Sequence, residues 1–124
     1  MTTFTYTVNC PPGVAGQVTN TTCTLAPAGD IYDNDLIEFV FVDSTGATTI
    51  PFACTMLVIK APGNPHEVME PFVGYKGQTC INLLTLTTPL TIRPSVSGAW
   101  SFSLLFVVDG QAYFLDPVII IKPN

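Results

Sequence analysis

The sequence predicts an all-β fold, an antiparallel β-sandwich of seven to nine short strands with no long helix. Three observations lead there. Apolar residues recur with a period of two almost everywhere, as in Phe4-Thr5-Tyr6-Thr7-Val8, so that every second side chain faces a core. The apolar runs are rich in β-branched and aromatic residues and are separated at short intervals by turn-forming residues. Eleven prolines and nine glycines leave no room for a long helix, and His66 to Met69 reads as one helical turn at most.

The elements follow in order. Phe4 to Val8 is the first strand, and the threonine-rich stretch Val18 to Leu25 reads as the next. Leu36 to Val42 puts Leu36, Glu38, Val40 and Val42 on one face and Ile37, Phe39 and Phe41 on the other. Strands over Phe52 to Ile59 and Thr79 to Thr87 come next. In Trp100 to Val108, one face carries Trp100, Phe102, Leu104, Phe106 and Val108. The other starts with Ser101 and Ser103 but turns apolar at Leu105 and Val107, which predicts burial on both sides. Asp109-Gly110 is a hairpin turn, Gln111 to Leu115 is its return strand, and Asp116-Pro117 separates or kinks that strand from Val118 to Ile121. Turns are marked by Cys10-Pro11-Pro12-Gly13, Pro27-Ala28-Gly29-Asp30, Ser44-Thr45-Gly46, Ala61-Pro62-Gly63-Asn64-Pro65 and Ser97-Gly98. With no internal repeat and no linker, residues 1–124 read as one domain of immunoglobulin-like type.

Composition narrows the function. Apolar residues make up 48% of the chain and charged ones 10%, yet no stretch approaches the roughly 18 apolar residues of a membrane span. The apolar residues are therefore expected in a core and at an interface with another subunit. The net charge is −5, and the positive residues are Lys60, Lys76, Arg93 and Lys122. That balance excludes a nucleic-acid partner, which needs a basic stripe, and a polybasic membrane contact. The start of the chain has neither a basic region nor an apolar signal core, so it reads as cytoplasmic or of open compartment. The expected partner is the chain itself, as a homo-oligomer or by strand exchange.

Metal and cofactor chemistry find little support. Cys10, Cys23, Cys54 and Cys80 form no Cys-x-x-Cys pair, which removes zinc-finger and thioredoxin readings; they are expected as reduced thiols. One histidine does not make a blue-copper set. Asp30, Asp33, Asn34 and Asp35 carry hard oxygen ligands without EF-hand spacing and read as a solvated acidic turn. No Gly-x-Ser-x-Gly elbow occurs. No cofactor or metal is expected. The long segment Lys60 to Gln78 holds His66, Glu67, Glu70, Tyr75 and Lys76, and long loops are often functional. Glu38 sits among apolar neighbours on its strand, either at a solvent-reaching edge or buried.

The remaining candidate is the Asp116-Pro117 bond. An aspartate carboxyl can reach its own carbonyl carbon, and proline nitrogen is a basic, tertiary-amide leaving group. Cleavage needs attack by the Asp116 carboxylate or by a water that an acid holds, donors for the oxyanion, and an acid that protonates the leaving nitrogen. An intramolecular carboxylate reaches effective molarities of about 10⁵–10⁸ M. Enclosure in a sandwich is expected to exclude bulk water from the bond. Capture of the activated aspartate by Lys76 or Lys60 would give an isopeptide crosslink.

A β-rich chain of this length ending in Leu115-Asp116-Pro117-Val118-Ile119-Ile120-Ile121-Lys122-Pro123 resembles the DP-EP family of small bacterial β-sandwich proteins. The resemblance implies a self-cleaving, self-assembling endopeptidase of aspartic type, acting at its own Asp-Pro bond, with a carboxylate-activated water. Asp116 and Pro117 carry it. The activating acid stays open among Glu70, Glu38, Asp109 and Glu67, with Glu70 favoured and Lys76 and His66 as assisting charges. The family's chemistry also includes a lysine joined to the cleaved aspartate, whereas the stretch before Trp100 offers Arg93 and Gly98 and no lysine. The strand 117–124 is the piece such a cut releases. The alternative is a non-enzymatic binding or structural module.

Overall fold

The computed structural model describes residues 1–10, 19–20, 23–42, 47–49, 51, 53–60, 71–75, 78, 80–85, 89–108 and 110–123, with only the backbone of Thr19, Asn20, Thr49, Lys60, Thr85 and Gln111. Among them the fold is all-β: eleven strand segments, one 3₁₀ turn and no α-helix.

One sheet, sheet A, is built from β1 (Thr3–Asn9), β3 (Cys23–Ala26), β4 (Leu36–Val42), β5 (Thr48–Thr49) and β8 (Leu90–Thr91), in the order β3-β1-β4-β5, with β8 also on β4. The other, sheet B, has the order β2-β10-β9-β6-β7. Its strands are β2 (Thr19–Asn20), β6 (Ala53–Lys60), β7 (Cys80–Asn82), β9 (Gly98–Val108) and β10 (Gln111–Leu115), and β11 (Val118–Ile121) also pairs with β9.

Four expectations need correction. Among the described residues the strand segments number eleven against the seven to nine expected, several of them two-residue pieces. The pairing is not wholly antiparallel: β1 runs parallel to β4 and β2 parallel to β10. The run expected as one strand over 18–25 serves both sheets, with β2 in sheet B and β3 in sheet A. A threonine-rich stretch has no strong apolar face to hold it on one sheet. Likewise the strand expected over 79–87 stops at Asn82, whose Oδ1 accepts the Leu84 N–H at 3.1 Å and turns the chain into the 3₁₀ turn Leu83–Thr85.

The core lies between the sheets and follows the alternation of each strand. Phe4, Tyr6 and Val8 of β1 and Ile37 and Phe41 of β4 face Cys54, Met56 and Val58 of β6 and the Trp100 to Val108 series of β9, all buried. Aromatic rings bridge the gap. Phe102 meets Tyr6 and Phe39 edge-on at centroid distances of 6.1 and 6.0 Å, and Phe41 meets Phe106 at 5.1 Å; each such pair adds about 0.5–1.5 kcal/mol beyond area burial. Gly110 takes φ +74°, which lets the chain turn tightly enough to set Gln111 opposite Val108.

Candidate functional site

β10 and β11 lie on the same edge of β9 in one register. Leu115 is opposite Leu104 and Val118 is opposite Ser101, so the step across residues 116 and 117 matches the step across 103 and 102 with no extra residue. Asp116 thus falls opposite Ser103 and Pro117 opposite Phe102. The Phe102 N–H donates to the Pro117 carbonyl at 3.0 Å, and the return bond is impossible because proline has no N–H. Asp116-Pro117 therefore interrupts the hydrogen bonding of this arm but not its register.

In the ladder, Ser103 and Asp116 form a non-hydrogen-bonded pair, the kind whose side chains approach most closely. The Ser103 hydroxyl donates to Asp116 Oδ1 at 2.8 Å. Ser103 is a site residue that the motif reading of the sequence misses. Its signal lies in the hairpin: the Asp109-Gly110 turn sets Val108 opposite Gln111, and counting back along both strands reaches Ser103 and Asp116.

Alternation also decides where the carboxylate points. Leu115, Ile119 and Ile121 are buried in the core, so Asp116 is on the outer face of sheet B, and it is exposed there. The expected enclosure of the bond within the sandwich is not met in the single chain. Among the described residues, the outer face around it is mainly apolar. Leu57 shares the row of Ser103 and Asp116, Ile59 and Val118 flank Ser101, and Leu105 lies between Thr55 and Phe114.

Glu38 is on the outer face of sheet A, since the alternate positions Ile37 and Phe41 of β4 are buried and Phe39 packs on Phe102. The core separates it from Asp116, which removes it as the activating acid. It is half-buried, and its Oε1 accepts a hydrogen bond from Thr5 Oγ1 at 2.6 Å across the parallel pair Thr5–Glu38. Glu67, Glu70, His66, Lys76 and Asp109 lie outside the described residues, as does the side chain of Lys60. Within the long 60–78 segment, residues 71–73 are tied to sheet A and its extension at Ile92 and Arg93. Phe72 is buried and bridges Ile92, Val73 N–H donates to the Thr91 carbonyl at 2.8 Å, and Arg93 N–H donates to the Pro71 carbonyl at 2.8 Å.

The acidic run is solvated at Asp30 and Asn34, as expected, but not at Asp35. Asp35 is buried; its Oδ1 accepts the Thr2 N–H at 2.8 Å and its Oδ2 the Tyr32 N–H at 2.9 Å. Asp33 Oδ2 accepts the Ser95 N–H at 2.8 Å. These carboxylates hold the start of β1 and the turn before β9 to the β4 entry. Among the described residues no group of three or more His, Cys, Asp or Glu is placed to hold a metal ion.

The four thiols form no disulfide. Burial lifts the Cys54 thiol to about 12, with Cys10 alongside adding to the effect, and burial lifts Cys23 to about 11. Both stay protonated at neutral pH and are poor nucleophiles. An open cleft of about 250 Å³, lined in part by Tyr6, Leu25, Asp30, Val118, Ile120 and Lys122, and another of about 440 Å³ beside Asp33, Ser95 and Val96 do not include Asp116 in their lining. Among the described residues no helix is long and apolar enough to cross a membrane. Comparisons of the chain with protein-family models, curated proteins and solved structures each give no match.

Proposed function

We propose that this chain is a single-turnover, aspartic-type endopeptidase that hydrolyses its own Asp116–Pro117 bond. The detached strand then stays docked on β9 or is exchanged with another copy. The observation that carries the reading is the Asp116 carboxylate, held by the Ser103 hydroxyl at 2.8 Å beside a proline that breaks the ladder in mid-strand. The carboxylate attacks its own carbonyl carbon, the C–N bond to Pro117 breaks, and the proline nitrogen leaves as an amine after taking a proton. Water then opens the cyclic anhydride, giving the side-chain carboxylate and a new terminal carboxyl. Alternatively the carboxylate activates that water directly. Glu70 is the acid proposed to protonate the nitrogen, with Lys76 and His66 as assisting charges. Intramolecular attack supplies about 7–11 kcal/mol of the barrier.

The cut is tolerable for two reasons. Pro117 donates no hydrogen bond to β9, and Ile119 and Ile121 are 1% exposed, each contributing roughly 1.5–3 kcal/mol to holding the severed strand.

A second reading, an uncleaved immunoglobulin-like binding or structural module, is favoured by one observation. Asp116 faces solvent, so bulk water competes with any organised attack. Intact mass spectrometry during incubation from acid to neutral pH separates the two. Self-processing gives two masses, the smaller being Pro117 to Asn124, and Pro117→Ala abolishes or greatly slows it. A single full-length mass at every pH leaves the uncleaved module.

A further inference from the structure

The outer face of sheet B is too apolar for a surface that meets only water. Leu57, Ile59, Leu105, Val118 and Ile120 all point out of it and are 36%, 48%, 50%, 50% and 55% exposed. They come from β6, β9 and β11, which lie side by side, so they cluster on neighbouring strands around Ser101 and Ser103 rather than being scattered. Scattered exposed apolar residues need no explanation, but a cluster of this kind on one sheet face marks an interaction surface. The sequence of β9, apolar on both faces from Leu104 onward, is that of a strand covered on both sides.

We propose that a second copy of this chain covers this face, the two B sheets packing face to face about a two-fold axis. The area suffices. β9 has 11 residues, about 36 Å of strand, and β6, β9 and the β10–β11 arm at about 4.8 Å spacing give a footprint of roughly 500 Å². Two such faces bury about 1,000 Å², the threshold for a specific interface. Charge favours the same occupant. The chain carries −5, and among the described residues of sheet B and its 116–117 step Asp116 is the one acidic side chain. Two copies meeting here therefore keep most of their like charges apart. Twisted sheets pack aligned with about 10 Å between them, and a two-fold pairing of one patch with itself closes without open ends. The contact would also cover the row of Ser103 and Asp116, withdrawing the Asp116–Pro117 bond from bulk water.

The test is sedimentation of the intact chain from about 1 to 200 μM, beside Leu105→Lys, Ile120→Lys and, on the outer face of sheet A, Thr3→Lys, with near-UV circular dichroism to verify folding. Lysine reduces the overall negative charge, so lost association cannot come from added net repulsion between copies. The expected result is a dimer for the wild type and Thr3→Lys, and association weakened at least about tenfold in the two B-face variants. A wild type that stays monomeric throughout, or B-face variants that associate as the wild type does, overturns the proposal. The inference is separable from the cleavage reading. A dimer that never cleaves leaves it standing and removes self-processing, while a monomer that cleaves does the reverse.

Discussion

The two outer faces of this sandwich-like molecule are built on the same backbone pattern and filled in opposite ways. On sheet A, Thr3, Thr5, Thr7 and Asn9 of β1 lie beside Leu36, Glu38, Val40 and Val42 of β4, and those β4 aliphatics are partly covered by their neighbours. On sheet B, five large aliphatics reach solvent. Each face also carries one polar cross-strand pair with a carboxylate: Thr5–Glu38, half-buried, and Ser103–Asp116, exposed. A threonine-rich strand finishes a surface, whereas an aliphatic one calls for a further layer. The carboxylate on the unfinished face is the one next to a proline.

The largest effect tests what lies between the faces. Both sheets contribute buried acids that titrate in alkali. Tyr6 of sheet A is pushed up to about 12 by burial and, secondarily, by Cys23, and Cys54 of sheet B to about 12 from an ordinary value near 9. The unfolded chain loses these protons first, so stability is intact below pH ~9 and falls as pH rises toward ~12. The loss is on the order of several kcal/mol. Thermal unfolding across this range should show a flat midpoint and then a steep decline; a midpoint unchanged to pH ~11 would mean the groups are not buried together as described.

Next in size is the contrast across sheet B itself, read at two consecutive residues. Ile119 is buried against the core and Ile120 is exposed. Ile119→Ala should cost about 2–5 kcal/mol in chemical denaturation, since it leaves a cavity. Ile120→Ala should stay within about 0.5 kcal/mol at a dilution that keeps the chain monomeric. Equal costs would show that the inward and outward faces of β11 have been assigned wrongly.

The bounds of these strands are legible in the sequence: 36–42, 111–115 and 118–121 end where the runs of β-branched and aromatic residues end. Which face of β11 turns inward is not legible, because Val118 to Ile121 is aliphatic at every position. The stretch from Val18 to Leu25 is not legible as two strands in two sheets, since threonine suits either face and its pattern carries no preference. Asp35 departs from its sequence reading for a related reason. An aspartate in a turn is normally solvated, and the local bond from Tyr32 would leave it so; the tertiary approach of Thr2 makes it a buried tie. At the candidate site, the scissile dipeptide is visible as a dipeptide, and Ser103 is implied by the hairpin register. The exposure of Asp116 is not, because the uniformly aliphatic 118–121 run leaves its inward face open until the fold is seen. Leu115 and Ile119 point inward, and parity along the strand then turns residue 116 outward, against enclosure within a single chain.

The smallest effects on stability come from the two polar pairs, and they are also the most discriminating. Thr5→Val removes a 2.6 Å bond to a half-buried carboxylate and should cost about 1–2 kcal/mol. Ser103→Ala removes a 2.8 Å bond at an exposed one and should cost no more than about 0.5 kcal/mol. Its consequence is expected in cleavage instead. Without the hydroxyl, the Asp116 carboxylate samples other rotamers, and fewer of them direct an oxygen toward its own carbonyl carbon. Loss of that positioning should slow release of Pro117 to Asn124 by about tenfold, or about 1.4 kcal/mol in the barrier. Ser103→Thr keeps a hydroxyl on a β-branched residue suited to the strand and should restore the rate. A merely structural role predicts the same rate in all three chains. Wild-type release from Ser103→Ala would therefore remove Ser103 from the chemistry and leave the pair on sheet B with no more than the surface-finishing role of its counterpart on sheet A.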